Sequence, residues 1–203
     1  MAKKAMTKPR TQEERSQQTR EAILEAAGQC VRELGYAKVR LADIARAAQL
    51  TTGALQHHFA DKDELMRSVA ISAFEQIEHT VTSVGEQPGT LNQRITACVA
   101  LMTSIYESSR VLAAFEIIYA TREDPAYRES LQEALMHYDR LIDDAWVKLF
   151  KDTGLKPARL VAIRHFARTA IQGMVMQKQM NPRFNHKEVL DLLTAALAFQ
   201  LGK

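Results

Sequence analysis

The densest cluster of residues able to do chemistry is the stretch LTTGALQHHF, residues 50–59, where His57 and His58 follow a glycine, two threonines and a glutamine. Paired imidazoles suggest a transition-metal site, since neutral imidazole is the commonest ligand for zinc and its neighbours. Neighbours on a helix do not face each other, however, and a helical metal site needs ligands three or four residues apart. No Cys, Asp or Glu is well placed to complete such a set, so no metal is expected. Nucleophilic catalysis has no better footing, because the chain carries no G-x-S-x-G, P-loop or H-E-x-x-H pattern. No cofactor is expected, and the sequence is not read as that of an enzyme.

What remains is hydrogen-bonding chemistry on a short helix. Thr51 is a good N-cap, and the residues it introduces, Thr52, Gly53 and Ala54, are small enough to let a backbone approach a surface closely. Leu55 and Phe59, four apart, should point inward as anchors, leaving Thr52, Gln56 and His57 exposed. A DNA major groove about 12 Å wide admits one helix, and hydroxyl, amide and imidazole groups can all bond bases or phosphates. His58 is expected to pack or cap near the following turn.

Such a helix must be positioned by others, and helical periodicity dominates the chain, with no alternating strand of useful length. The expected fold is all-α, with about nine helices. The first runs over residues 16–34, with Ile23, Ala27, Cys30, Val31 and Leu34 on one face and Gly35 as its stop. A second, short helix carries Leu41, Ile44, Ala45 and Ala48, and Thr51 opens the third after a tight turn. The fourth starts at Asp61, which has capping-box spacing to Glu64, and ends near Gly85, Pro88 and Gly89. Two more span residues 91–107 and 111–120. Asp124 and Pro125 open a helix with the stripe Tyr127, Leu131, Ala134, Tyr138, Leu141, Ala145 and Leu149. Residues 160–179 and 187–201 form the last two, the latter capped by Asn185.

Composition agrees with a globular chain. Of 203 residues 46% are hydrophobic and 25% charged, no run approaches the length of a membrane span, and a cytoplasmic location is expected. A net charge of +3 argues only weakly for a polyanionic partner. Its distribution says more, because the tail before residue 21 is basic and rich in Thr, Gln and Ser, and its residues 1–15 form an arm expected to be mobile and suited to phosphates or merely solubilising. Cys30 and Cys98 are isolated and fall on apolar stripes, where cysteine acts as a small hydrophobe.

Two short helices joined by a tight turn and braced by a third form the helix-turn-helix pattern, whose second member enters the major groove. The stretch REAILEAAGQCVRELGYAKVRLADIARAAQLTTGALQHHFADKDEL resembles the DNA-binding region of the TetR family of transcriptional regulators. The likeness rests on the Gly35–Tyr36 pair after the first helix, on Asp43-Ile44-Ala45, on Gly53-Ala54-Leu55, on His57-His58-Phe59 and on the run from Lys62 to Leu65. It covers about a quarter of the chain, residues 19–69; beyond it only helix count, order and length agree. The resemblance implies a homodimer that reads a palindromic DNA operator, with a C-terminal domain that binds a small effector and dimerises through its last two helices. Repression relieved by the effector is the implied mechanism.

The domains implied are a basic arm at 1–15, a helix-turn-helix domain at 16–62, and an effector-binding and dimerisation domain at 63–203. Arg40, Thr51, Thr52, Gly53, Gln56, His57 and Lys62 are the DNA-contacting candidates, Lys62 as a phosphate contact at the start of the fourth helix. Gln56 stands where the family commonly has a phosphate-touching tyrosine, Gln49 where its turn often has glycine, and Val39 and Arg40 where a threonine or serine often opens the second helix. Pocket walls in helical bundles are mostly apolar with a few polar groups. Phe74, Met102, Tyr106, Phe115, Tyr119, Tyr138, Trp146, His165, Arg168, Gln172 and Met176 fit that description for an effector of unknown identity, as they would fit an ordinary core. For the dimer the candidates are Leu160, Ala167, Ile171, Met174, Leu190, Leu193 and Leu197, pairing as a four-helix bundle. The rival readings are a dimeric DNA-binding protein without a ligand and, more weakly, a helical enzyme.

Overall fold

A computed structural model describes residues 11–85, 89–181 and 183–202, and among them there are nine α-helices and no strand. Most of the expected basic arm, residues 1–10, lies outside the described residues, as do Pro88 and Pro182. The remainder of the arm is helical. Helix α1 spans Gln12–Leu34, four residues longer than the periodicity suggested, because Thr11 and Glu14 form a capping box about three turns ahead of the first apolar residue, Ala22. It ends at Gly35, whose φ of 81° only glycine adopts without strain.

Helix α2 is Leu41–Ala47 and α3 is Thr52–Gln56, with Gln49 in the turn between them at φ 58°. That left-handed backbone costs a side-chain-bearing residue roughly 1–2 kcal/mol, which is the physical reason a glycine suits this position. Helix α4, Lys62–Gly85, is started by Asp61, whose carboxylate accepts the Glu64 N–H at 2.8 Å, while Glu64 accepts the Ala60 N–H at 2.7 Å. Helices α5 (Leu91–Tyr106), α6 (Ser109–Ala120), α7 (Pro125–Leu149), α8 (Pro157–Met180) and α9 (His186–Leu201) follow. Thr90, Ser108, Asp124 and Asn185 supply side-chain caps to α5, α6, α7 and α9.

The long α4 is the axis, packing against α1, α5, α6 and α7, while α8 lies against α5, α7 and α9. Helix α1 packs on α2, α4 and α6, so one apolar cluster runs from Ile23 to Leu201. Gly28 permits the α1–α6 approach, since a Cβ there would lie 3.3 Å from the Arg110 Cα.

The stripe expected on α7 holds at both ends, fails at Leu141 and misses Ile142 and Trp146. Tyr127 and Leu131 are buried, but further along Ile142, Trp146 and Leu149 are buried while Leu141 is exposed. The buried face turns because α4 covers one part of the helix and α8 another. Among the described residues no helix is long and apolar enough to cross a membrane.

Cys30 and Cys98 are both buried, and burial pushes each thiol up, that of Cys98 to about 12. Thiolate is the reactive form. Neither should react with a thiol-specific chromogenic reagent in the folded protein at neutral pH, and both should react once denatured; rapid labelling of the native chain would contradict this.

Candidate functional site

The short third helix has the polarity that its sequence suggested. Thr51 Oγ1 accepts the Ala54 N–H at 3.1 Å, Leu55 and Phe59 are buried, and Thr52, Gly53, Gln56 and His57 are exposed. Arg40, at the start of α2, is exposed as well. Helix α3 packs on α2, with Leu55 and Phe59 buried beneath the exposed groups and the Phe59 ring under Arg20 of α1. His58 is half-buried and contributes its carbonyl, which accepts Arg20 Nη1 at 2.9 Å.

That contact belongs to a buttress which sequence reasoning missed. The Arg20 guanidinium lies 4.1 Å from the Phe59 ring centroid and also reaches Ser68 Oγ at 3.3 Å. One side chain of α1 thus fixes the end of α3 and the start of α4. The available signal was an arginine one position outside the apolar face of α1, which a solvated position explained equally well.

Lys62 has a partner within the chain. Its ammonium donates to the Tyr36 carbonyl at 2.7 Å and lies 4.7 Å from the Tyr36 ring centroid. Burial lowers its pKa, with Asp63 opposing. The half-buried lysine thereby ties the turn after α1 to α4, because Tyr36 presents both a carbonyl and an aromatic face. On the other side of that turn the Tyr36 N–H donates to Glu116 of α6 at 2.6 Å. Arg110, also on α6, pairs with Glu21 and Glu25 of α1 at 2.5 and 3.1 Å. Helix α6 is thereby fastened to α1 and to the turn that leads from it into the region carrying the exposed polar residues.

The expected pocket residues do not form one pocket. Met102, Tyr106 and Trp146 are core, and Phe74 is half-buried. The Tyr138 hydroxyl donates to Glu75 on α4 at 2.5 Å; burial first, then this partner, push it up to about 12. Phe115, Gln172 and Met176 line a slot between α6 and α8 with Tyr119, which is 62% exposed, and Phe115 stacks on Tyr106 at 5.9 Å. Tyr119 and Met176 are thus surface residues rather than interior walls, because α6 and α8 diverge there.

Arg168 and His165 belong instead to an ion-pair network. Arg164, only 2% exposed, donates to Asp139 at 2.7 Å and to Asp143; Arg168 reaches Asp139 at 2.9 Å, and His165 lies 3.6 Å from Asp143. Burial pushes the Asp139 carboxyl up, but the Arg164 hydrogen bond and the charges of Arg164 and Arg168 outweigh it and leave the pKa lowered. Asp139, Asp143 and His165 could in principle hold a cation. Two guanidiniums already neutralise the two carboxylates, which disfavours a divalent ion there.

The dimer candidates need correction. Leu160, Ala167, Ile171, Met174, Leu193 and Leu197 are buried within the chain's own core, and Leu190 is half-buried. They pack α8 and α9 onto the rest of the protein, because the most apolar stripe of a helix is claimed first by its own fold. The opposite faces carry exposed apolar residues, Phe166 and Met180 on α8 and Leu192 (68% exposed) and Phe199 (59%) on α9.

Comparison with known proteins agrees with this geometry. The family model for bacterial regulatory proteins, tetR family, matches residues 23–69. An uncharacterized HTH-type transcriptional regulator of Mycobacterium bovis is 30% identical over 137 residues, 67% of this chain and 70% of its own length. The HTH-type transcriptional regulator CymR of Pseudomonas putida is 29% identical over 148 residues, 73% of each chain. The nicotine-responsive repressor HdnoR of Paenarthrobacter nicotinovorans is 25% identical over 191 residues, covering 90% of this chain and 95% of its own. In fold, the fatty acid degradation regulator FadR of Bacillus halodurans superposes with a TM-score of 0.66 at 17% identity, over 96% of this chain and 97% of that one.

Proposed function

The chain belongs to the TetR family of bacterial regulatory proteins and is a DNA-binding transcriptional regulator, and from that premise we propose that it is a homodimeric repressor of a palindromic operator, released by a small effector. Residues 16–62 are assigned to DNA and 63–203 to effector binding and dimerisation, acting in the cytoplasm, with no reaction catalysed. The observation that carries this reading is the Thr51-capped helix, with Thr52, Gln56 and His57 exposed above buried Leu55 and Phe59. Two such helices related by a dyad meet successive major grooves only if the half-site centres lie about 34–36 Å apart or at a multiple of that spacing.

Selection of bound fragments from genomic DNA, followed by mapping of protected bases, tests this reading; a single unpaired half-site, or no enrichment, would sink it. Within the selected site, replacing Gln56 with alanine should change preference at particular bases. Arg40→Ala should weaken all sequences alike and reduce the salt slope by about 0.9 for one lost phosphate contact. Lys62→Met should lower thermal stability while leaving that slope unchanged, because its ammonium bonds Tyr36. A Lys62 variant that loses slope as Arg40→Ala does would return Lys62 to the DNA.

The exposed apolar faces of α8 and α9 support dimerisation through Phe166, Met180, Leu192 and Phe199. Phe199→Glu should convert a sedimenting dimer to monomer at micromolar concentration with the helical circular dichroism intact. A dimer that survives this change, and Leu192→Glu with it, would place the interface elsewhere.

A further inference from the structure

An open groove of about 470 Å³ runs between the C-terminal turn of α6 and the first half of α7, within the roughly 300–1,000 Å³ typical of small-molecule sites. Ile118, Leu131, Leu135 and Met136 form its apolar lining, and the exposed Arg122 and Arg128 are its charged members. Leu131 is buried and Ile118 and Leu135 are half-buried, whereas Met136 is exposed, touched by the Gln132 amide at 3.8 Å.

Among the described residues no carboxylate lines the groove, so its charges are one-sided. Arg122 donates to the Tyr119 carbonyl at 2.8 Å and pairs with Glu123 at 3.2 Å, an exposed ion pair that holds it weakly. Among the described residues the Arg128 guanidinium has no acceptor at all. An apolar trough beside an uncommitted guanidinium is complementary to a molecule with a hydrocarbon body and an anionic end. Its position is equally specific, because one wall is α6, the helix that grips α1 through Arg110 and the turn after α1 through Glu116.

We propose that this groove is the effector site and that its ligand is an amphipathic carboxylate, with the carboxylate on Arg128 and the apolar body along Ile118, Leu131 and Leu135. The proposal rests on the ligand-relieved repressor reading and names the chemistry of its effector. The α6–α8 slot is the weaker candidate on charge rather than size, since its inner part of about 40 Å³ opens into an outer part of about 430 Å³ whose lining mixes Glu116 with Arg32 and Arg122. Wedging α6 away from α7 would shift the contacts of Arg110 and Glu116 with α1 and so alter the pose of the DNA-reading helix.

Calorimetry on the full chain with octanoate, against octanol and octylammonium, tests the ligand class, and fluorescence anisotropy of labelled operator tests its consequence. Octanoate should bind, Arg128→Gln should weaken it about tenfold to a hundredfold, as expected for a charge-assisted hydrogen bond, and octylammonium should not bind. Gln132→Trp, at an exposed lining position, should fill the groove and block binding with an unchanged melting temperature. Saturating octanoate should lower operator affinity in the wild type and leave it unchanged in both variants. Absence of binding, equal binding of the cation, insensitivity to both variants, or binding without loss of operator affinity would each overturn the proposal. If ligand-free protein binds no operator, the repressor reading fails and takes the effector role with it, while the calorimetry still decides the ligand of the groove.

Discussion

Phe59→Ala is expected to destabilise the protein by about 3–5 kcal/mol, the usual cost of deleting a buried aromatic side chain, and to abolish operator binding even where the fold survives. Phe59 is 1% exposed, sits where the chain turns from α3 into α4, and carries the Arg20 guanidinium 4.1 Å from its ring. Removing the ring leaves a cavity beneath α3 and frees Arg20, whose other bonds, to the His58 carbonyl and Ser68, hold the same corner. Chemical denaturation gives the stability loss. Operator titration at a temperature where the variant is fully folded gives the second effect, and near-native affinity there would show that Phe59 is a core residue without influence on the pose of the reading helix. Phe59→Leu retains apolar volume and should recover most of the stability but less of the affinity, because leucine offers no face to the guanidinium.

Arg164→Leu is the second large effect. The arginine is the most buried charge in the described structure, and its removal leaves Asp139 and Asp143 facing each other with only Arg168 and His165 nearby. Breaking a buried pair by deleting one partner costs roughly 3–5 kcal/mol; both carboxylates keep some solvent contact, so about 2–4 kcal/mol is expected.

The pH dependence follows from the lowered pKa of Asp139. A carboxyl depressed in the folded state contributes stability fully above its unfolded value, about 3.9, and this is lost as the pH falls through the lower folded value. Wild-type protein should therefore resist acid to below pH ~4 at this site, and Arg164→Leu should unfold at a higher pH. Circular dichroism against pH for both proteins measures it, and coincident acid transitions would mean that the network contributes nothing to folding.

Much of the candidate DNA site was legible in the sequence, because its determinants are local. Thr51 caps within one turn, Leu55 and Phe59 repeat at helical spacing, and the small residues between them need no distant partner to be recognised. Helix boundaries were read to within a few residues for the same reason, the exception being α1, where the Thr11–Glu14 box extends the helix beyond its apolar stripe. The effector region was not legible in this way. Tyr106, Trp146, Tyr119 and Met176 share an apolar or aromatic character, yet the fold buries the first two and exposes the others.

What the sequence by itself determined is therefore the all-α architecture and the short polar helix set on two hydrophobic anchors, since both follow from periodicity and capping within a few residues along the chain. Only the tertiary structure decided where the cations went. Lys62 is bonded to Tyr36, Arg164 is sunk between two aspartates and Arg128 lines a groove with no acceptor among the described residues, although in sequence all three are basic residues on helices. It also reassigned the apolar stripes of α8 and α9 to the chain's own core and exposed Phe166, Leu192 and Phe199 instead. Burial of a helix face depends on which neighbour reaches it first, and that competition is settled by contacts far apart in sequence.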